Sequence, residues 1–138
     1  DFKEYKKLFD INYFGTLSCN LLFKKFFKIN NKVIINISSD VSLRGSFNYP
    51  AYASSKAAID SITRSFSKIF SDISFYSLLL PPIANSKNLK NKNFKNHKKL
   101  IPLDKISEFI YLLSVKKLKF KSGSLILIKD YKINYEIF

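Results

Sequence analysis

Three short apolar runs limit what this chain can fold into more than any other feature. They are Val33 to Ile37 (VIINI), Ser74 to Leu80 (SFYSLLL) and Ser124 to Ile128 (SLILI). Each is rich in β-branched or large apolar residues. Runs of this length without regular polar alternation are typical of strands that are buried on both faces of a parallel sheet. The sequence therefore predicts about three buried parallel strands.

The segments between these runs have helical spacing instead. Apolar residues recur every three or four positions from Phe2 to Phe27 and again from Ala51 to Phe70, and a third helix is expected with Asp104 as its N-cap. Ser38 to Pro50 and Ala84 to Leu100 read as loops. Because strands alternate with helices, the sequence predicts an α/β fold in which helices cover both faces of the sheet, a three-layer sandwich.

The length of 138 residues suits one domain. Three strands make a small open sheet, and a bare apolar edge tends to pair with another strand. The chain begins at Asp1 and contains no Met, so we expect a partial or processed chain.

Composition excludes several classes of protein. Cys19 is the one cysteine and His97 the one histidine, so neither a disulfide framework nor a zinc site of Cys and His ligands is available, and no metal is expected. Cys19 should be a small buried residue, and His97 a solvated loop side chain. No apolar run reaches the roughly 20 residues of a membrane span. We expect a soluble, cytoplasmic protein without a membrane partner.

The net charge of +14 raises the question of nucleic-acid binding. The chain has only two Arg residues, whereas base recognition relies on the bidentate guanidinium. Lysines are spread along the sequence, with one dense stretch from Lys87 to Lys99. A solvated loop explains that stretch most simply, and an acidic or phosphorylated partner is the alternative. No nucleic-acid partner is expected.

The block from Ile35 to Ala58 (INISSDVSLRGSFNYPAYASSKAA) carries the candidate chemistry. Tyr52 and Lys56 are four residues apart at the start of a predicted helix, so both side chains share one face. A nearby ammonium should lower the pKa of the Tyr52 phenol, which suits a general acid or base. The hydroxyl of Ser39, at the end of the neighbouring strand, could hold a carbonyl oxygen beside that phenol. This combination suits proton transfer to a carbonyl.

The same block closely resembles the short-chain dehydrogenase/reductase family. Ser39 lies thirteen residues before Tyr52, and Tyr52 to Ala58 reads YASSKAA. Upstream, Ile11 to Thr16 (INYFGT) is similar to the family's asparagine motif and places Asn12 forty residues before Tyr52. The resemblance covers nearly the whole chain and implies the C-terminal, catalytic half of one Rossmann-like domain over residues 1–138. The Gly-rich dinucleotide loop of the N-terminal half, a segment of roughly 100 residues, is absent.

The resemblance also implies a role for each matching residue. Tyr52 would be the general acid, Lys56 would hold the nicotinamide ribose, Ser39 would bind the substrate carbonyl, and Asn12 would anchor a water in the proton relay. The cofactor would be NADP or NAD, with NADPH favoured. The residues that follow the second strand and would face the cofactor are Pro82, Ala84 and Ser86. Residues 84–103 would form the substrate-binding loop.

Several residues depart from the family pattern. Ser42 replaces a common Gly, Pro82 replaces the Gly after Pro81, and Lys129-Asp130-Tyr131 replaces Asp-Gly-Gly. Because the Gly-rich loop is missing as well, this chain alone is expected to bind a dinucleotide poorly. Ser38 lacks the family spacing and should be structural. Arg44 is expected to form a loop salt bridge, although it could instead meet a phosphate.

Within the family, the favoured function is reduction of a 3-oxoacyl group on acyl carrier protein in fatty-acid synthesis. The substrate would be a small-molecule or carrier-bound carbonyl compound. A pteridine reductase is the nearest competitor, since RGSFNYPAYASSKAAIDSITRSF is similar to dihydropteridine-type members. A truncated, non-catalytic remnant is the rival from another class. A homo-oligomer, dimer or tetramer, is expected because family members commonly pair the first helix and the Tyr/Lys helix across a dimer.

Overall fold

The structure, a computed structural model, describes residues 1–27, 32–83, 100–129 and 134–138. The predicted helix from Phe2 to Phe27 is present, but its middle is a π-helical turn. The chain then alternates strands and helices as expected. The elements are α1 (Phe2–Leu8), the π-helical turn (Phe9–Phe14), α2 (Gly15–Phe26), β1 (Lys32–Ser39), α3 (Val41–Arg44), α4 (Pro50–Ile69), β2 (Ile73–Leu80), α5 (Leu103–Ser114), β3 (Leu125–Ile128) and β4 (Tyr135–Ile137).

The sheet has four strands in the order β1-β2-β3-β4. β1 pairs with β2 and β2 pairs with β3, both in parallel, so the predicted α/β core is confirmed. The sheet is mixed rather than parallel throughout, because β4, a strand that was not predicted, adds an antiparallel edge next to β3. The short YEI segment of β4 carries too weak a pattern to be predicted from sequence.

Helices cover both faces of the sheet and make the expected three layers. On one face, Ile106, Phe109 and Leu113 of α5 pack against Leu78 of β2 and Ile126 of β3. On the other face, Phe66 of α4 joins Ile34, Ile73 and Phe75, with Leu17 and Phe23 of α2 packed alongside. Successive strand residues point to opposite faces, so each strand supplies side chains to both clusters. Two-sided burial explains the continuous apolar runs.

Polar side chains are also buried beneath α4. Asn36 of β1 donates from Nδ2 to Thr63 Oγ1 at 2.8 Å, and the Ser77 hydroxyl of β2 donates to Asp60 Oδ1. Buried polar groups are costly unless they are hydrogen-bonded, so these pairs restrict how α4 can sit on the sheet. They fix the helix that carries Tyr52 and Lys56.

Three local expectations are wrong. Cys19 is exposed rather than buried. The side of α2 that faces the protein interior carries Asn20, and Cys19 lies on another side of the helix. Asp104 is not the N-cap of α5, which begins at Leu103 after Pro102 and leaves Asp104 in its first turn.

The third concerns the predicted loop from Ser38 to Pro50. That segment is shorter than expected, because β1 continues through Ser39 and a four-residue helix, α3, follows it.

Other expectations fall outside the described residues. They concern Ala84, Ser86, His97, the stretch from Lys87 to Lys99, and Asp130 with Tyr131. Of the predicted substrate-binding loop, residues 100–103 are described. Ile101 there is fully buried and forms a parallel bridge with Ile83, so the two ends of that loop lie side by side. Within the described ranges, no helix is long and apolar enough to cross a membrane.

Candidate functional site

Tyr52 and Lys56 lie on the first turns of α4, beside the carboxyl end of β1. Pro50 opens the helix, a position where proline's fixed φ and missing N–H are tolerated. Lys56 Nζ lies 5.6 Å from the centroid of the Tyr52 ring and donates to the carbonyl oxygen of Ile37 at 3.0 Å. The structure thus brings together the two side chains that the spacing placed on one helix face.

Ser39 is the last residue of β1 and is buried next to the phenol. Its hydroxyl is within donating distance of Asp40 Oδ1 at 3.1 Å and of the carbonyl oxygen of Leu80, its partner in β2, at 3.3 Å, and its interaction with Tyr52 lowers the pKa of the phenol. Asp40 in turn accepts from the Arg44 guanidinium at 2.9 Å. The expected loop salt bridge of Arg44 is confirmed, and Ser38 has the expected structural contact, from its hydroxyl to the Lys56 carbonyl oxygen.

The pKa of Tyr52 moves in the opposite direction to the one predicted. Burial raises this pKa, the interaction with Ser39 lowers it, and the negative charge of Asp40 raises it. The net result is a pKa above the ordinary tyrosine value of 10.0. The prediction considered only the neighbouring ammonium. Burial disfavours the charged phenolate, and this outweighs the hydrogen bond. The phenol therefore keeps its proton through the neutral range, as a proton donor must.

The pKa of Lys56 is lowered from 10.5, because burial disfavours the ammonium. Asp60, one turn further along α4, opposes this shift through its negative charge. Asp60 is itself only 5% exposed. Its Oδ1 accepts from Ser77, while its Oδ2 is buried with no hydrogen-bond partner in the described part of the chain. Asp60 is therefore part of the electrostatic environment of Lys56.

Asn12 approaches α4 from the π-helical turn. Its Nδ2 donates to Ser55 Oγ at 3.0 Å, and the Ser55 hydroxyl donates to the Tyr52 carbonyl oxygen at 2.8 Å. π-Helical turns within α-helices are frequent at functional sites, where the extra residue shifts side chains out of regular register. Asn12 is thus connected, through one buried hydroxyl, to the turn of α4 that carries Tyr52 and Lys56.

On the expected cofactor side, Pro82 is exposed two residues beyond the end of β2, near Ser39. The donor chemistry of Lys56 fits the hydroxyls of a nicotinamide ribose: an ammonium has three N–H donors, and Ile37 uses one. Phosphate groups of a dinucleotide need a different cradle, normally at a helix N-terminus after a Gly-rich loop. In the described residues, no three His, Cys, Asp or Glu side chains lie close enough to hold a metal ion.

Sequence reasoning missed three residues of this site, namely Asp40, Ser55 and Asp60. All three are adjacent in sequence to predicted residues or one helical turn from them. Asp40 follows Ser39 directly, Ser55 precedes Lys56, and Asp60 lies four residues after Lys56. The i, i+4 spacing of Lys56 and Asp60 was a readable signal. The contact of Ser55 with Asn12 joins residues 43 positions apart, and no sequence pattern indicated it.

Comparison with known proteins is consistent with this geometry. The family model described as short chain dehydrogenase matches residues 1–93. The chain is 38% identical over 64 residues to the mouse (Mus musculus) peroxisomal 2,4-dienoyl-CoA reductase, covering 46% of this chain and 22% of that protein. It is 31% identical over 115 residues to a fatty acyl-CoA reductase of Acinetobacter baylyi, covering 81% of this chain and 39% of that protein.

Solved structures show the same fold. An oxidoreductase from Haemophilus influenza with bound NAD superposes with a TM-score of 0.78 at 22% identity, over 96% of this chain and 54% of that one. At this identity the likeness concerns the fold alone. The chain thus spans about half of that structure and less than half of the two curated relatives named above.

Proposed function

Because the chain belongs to the short-chain dehydrogenase/reductase family, we propose that it is the catalytic part of an NAD(P)(H)-dependent oxidoreductase that reduces a carbonyl group to an alcohol. The observation that carries this proposal is the cluster at the carboxyl end of β1. There the Tyr52 phenol, whose pKa is raised by burial, lies beside Ser39, with Lys56 Nζ 5.6 Å from the centroid of its ring. Ligands of parallel α/β sheets bind at this end of the strands.

In the proposed reaction, a nicotinamide cofactor, when bound, supplies the hydride that reduces the carbonyl carbon. Ser39 donates a hydrogen bond to the carbonyl oxygen and holds it beside Tyr52. The phenol gives its proton to that oxygen, which completes the alcohol and leaves a phenolate. Lys56 holds the ribose hydroxyls and stabilises the phenolate through its positive charge. Asn12 anchors the water through which Tyr52 recovers its proton.

The proposed substrate is an acyl thioester that carries a 3-oxo group. Both curated relatives described above are named as reductases of CoA thioesters, so an acyl thioester is the substrate chemistry that their names share. We favour a carrier-protein thioester, and hence 3-oxoacyl-carrier-protein reduction, with NADPH as the reductant. An acidic carrier protein would be attracted to a chain with a net charge of +14.

A substrate panel tests this proposal. The complete protein, as its source cell makes it, is assayed with NADPH and NADH against a 3-oxoacyl carrier-protein thioester, the matching CoA thioester and a dihydropteridine. We expect NADPH oxidation with the thioesters, and faster turnover on the carrier protein. Turnover of the pterin alone would favour a pteridine reductase and contradict the substrate assignment. No turnover of any carbonyl compound would favour the non-catalytic remnant.

We also propose that the protein is a homodimer. Several large apolar side chains of α1, the π-helical turn and α2 point to solvent, among them Phe2 at 82% and Phe26 at 66% exposed. Exposed large apolar side chains in such number favour a surface that contacts a partner. In an isologous dimer, the same helix face of a second copy would cover it.

A further inference from the structure

We propose that Ser55 is a positioning residue that sets the orientation of the Asn12 amide relative to Tyr52 and Lys56. It joins two segments that are 43 residues apart in sequence: the π-helical turn and the first turns of α4. Ser55 is fully buried, so water cannot replace either of its hydrogen bonds. The inference rests on the proposed function, because it gives Asn12 a role in carbonyl reduction.

The direction of the two hydrogen bonds carries the argument. A serine hydroxyl has one hydrogen and two lone pairs. The hydrogen of Ser55 is directed at the Tyr52 carbonyl oxygen, 2.8 Å away. Only a donor can then approach the remaining lone pairs, and Asn12 meets them with its NH2 group at 3.0 Å. Ser55 therefore determines which end of the Asn12 amide faces α4.

This orientation has a consequence for the site. With its NH2 group held by Ser55, Asn12 keeps its Oδ1 out of that bond, and an amide oxygen can accept a hydrogen bond from water. The π-helical turn displaces Asn12 from regular α-helical register, so its local backbone alone does not define where the amide points. The bond to Ser55 supplies the missing constraint, and it acts on the helical turn that also carries the proton donor.

Ser54 provides a matched control on the same helix. Its hydroxyl also donates to backbone carbonyls of α4, at 2.9 Å to Pro50 and 3.1 Å to Ala51. Unlike Ser55, it is exposed and does not bond Asn12. Ser54→Ala and Ser55→Ala therefore remove the same kind of helix contact, and only Ser55→Ala also removes the acceptor of the Asn12 amide.

The experiment uses two readouts on purified protein. The first is the side-chain NH2 signal of Asn12 in a 15N-correlated NMR spectrum, assigned by its loss in Asn12→Ala. Ser55→Ala should shift this signal and speed its exchange with water, whereas Ser54→Ala should leave it in place. The second is kcat and KM for carbonyl reduction. Loss of one positioning hydrogen bond should lower kcat about five- to tenfold with KM unchanged.

Two further variants keep the test decisive. Ser55→Thr retains the hydroxyl and should restore the NMR signal and kcat. Ser55→Cys preserves the side-chain size but offers only a weak acceptor, so it should reproduce the loss if Ser55→Ala does not fold. An unmoved Asn12 signal in folded Ser55→Ala, or an equal loss of kcat in Ser54→Ala, would overturn the inference. Absence of carbonyl reduction in the unsubstituted protein would instead overturn the proposed function, while the NMR result would still report on the bond.

Discussion

At the scale of single residues, the pKa of Tyr52 connects the structure to the proposed chemistry. Burial raises it most, and the negative charge of Asp40, the residue that follows β1, raises it further. In the direction of reduction, the phenol must carry its proton. A raised pKa therefore extends activity toward alkaline pH rather than restricting it.

We predict that Asp40→Asn moves the alkaline limb of the reduction rate to lower pH. Removal of the negative charge favours the phenolate, so the pKa of Tyr52 falls and the proton is lost at a lower pH than in the unsubstituted protein. The check is the pH profile of kcat. Asp104→Asn, which removes an exposed carboxylate on α5, is the control and should leave the profile in place. An alkaline limb that stays in place or moves upward in Asp40→Asn would contradict the assignment.

The sequence predicted the residues of this site better than their electrostatics. The i, i+4 spacing of Tyr52 and Lys56 put their side chains on one helix face, whereas Ser39 was chosen from its place at the end of the neighbouring strand and from the resemblance to the family. The direction of the Tyr52 shift was not predictable in this way. It depends on how deeply the fold buries the phenol and on the charge of Asp40, and both are properties of tertiary packing.

At the scale of secondary-structure elements, the turn before β3 packs tightly against α4. Gly123 has a φ of +93°, and a Cβ built there would lie 2.5 Å from Ser67 Oγ and 3.2 Å from Ser67 Cβ. The neighbouring Ser122 hydroxyl accepts a hydrogen bond from the Phe75 backbone N–H at 3.0 Å. The Ser-Gly pair thus holds α4, β2 and the start of β3 together.

We predict that Gly123→Ala destabilises the protein more than Gly45→Ala. Both glycines have positive φ, at +93° and +74°, so either substitution strains the backbone by about 1–3 kcal/mol. Only at Gly123 does the added carbon also meet another helix, since the space around Gly45 is open within 4 Å. The free energy of unfolding from urea titration checks this. Equal losses for the two variants would show that α4 and the turn are not in close contact.

Sequence patterns predicted the regular elements well and the irregular ones poorly. Apolar runs such as Val33 to Ile37 and Ser74 to Leu80 coincide with β1 and β2, because two-sided burial leaves a clear apolar signal. The π-helical turn was missed, since its side chains repeat almost as an α-helix does. β4 was missed as well, because its three exposed residues are held by pairing with β3 rather than by their own preference.

At the scale of the whole molecule, the described residues leave the β1 edge and one helix face uncovered. β1 is the first strand of the sheet, and among the described residues it has a strand partner on one side only. The other surface is the apolar face of α1 and α2, where the dimer contact is proposed. The sequence indicated the bare strand edge through its apolar runs, and the helix contact was an expectation from the resemblance to the family.

We predict that the protein sediments as a dimer, and that the double variant Leu22→Ser, Phe26→Ser weakens this association. These residues are one turn apart on the exposed side of α2, so the change removes apolar area from one patch. Analytical ultracentrifugation over a concentration series gives the dissociation constant. Tyr111→Ser, on the exposed side of α5, is the control. A dimer that is equally stable in both variants would place the contact elsewhere.

The central claim is that Tyr52 gives its proton to a carbonyl oxygen, and Tyr52→Phe tests it most directly. The substitution removes only the phenolic oxygen and keeps the ring in its half-buried place. We predict that the complete protein with this change melts near the unsubstituted temperature but reduces its carbonyl substrate at least about a hundredfold more slowly. Tyr111→Phe, at an exposed position on α5, should retain full activity. Unchanged turnover in Tyr52→Phe would contradict the account of this site.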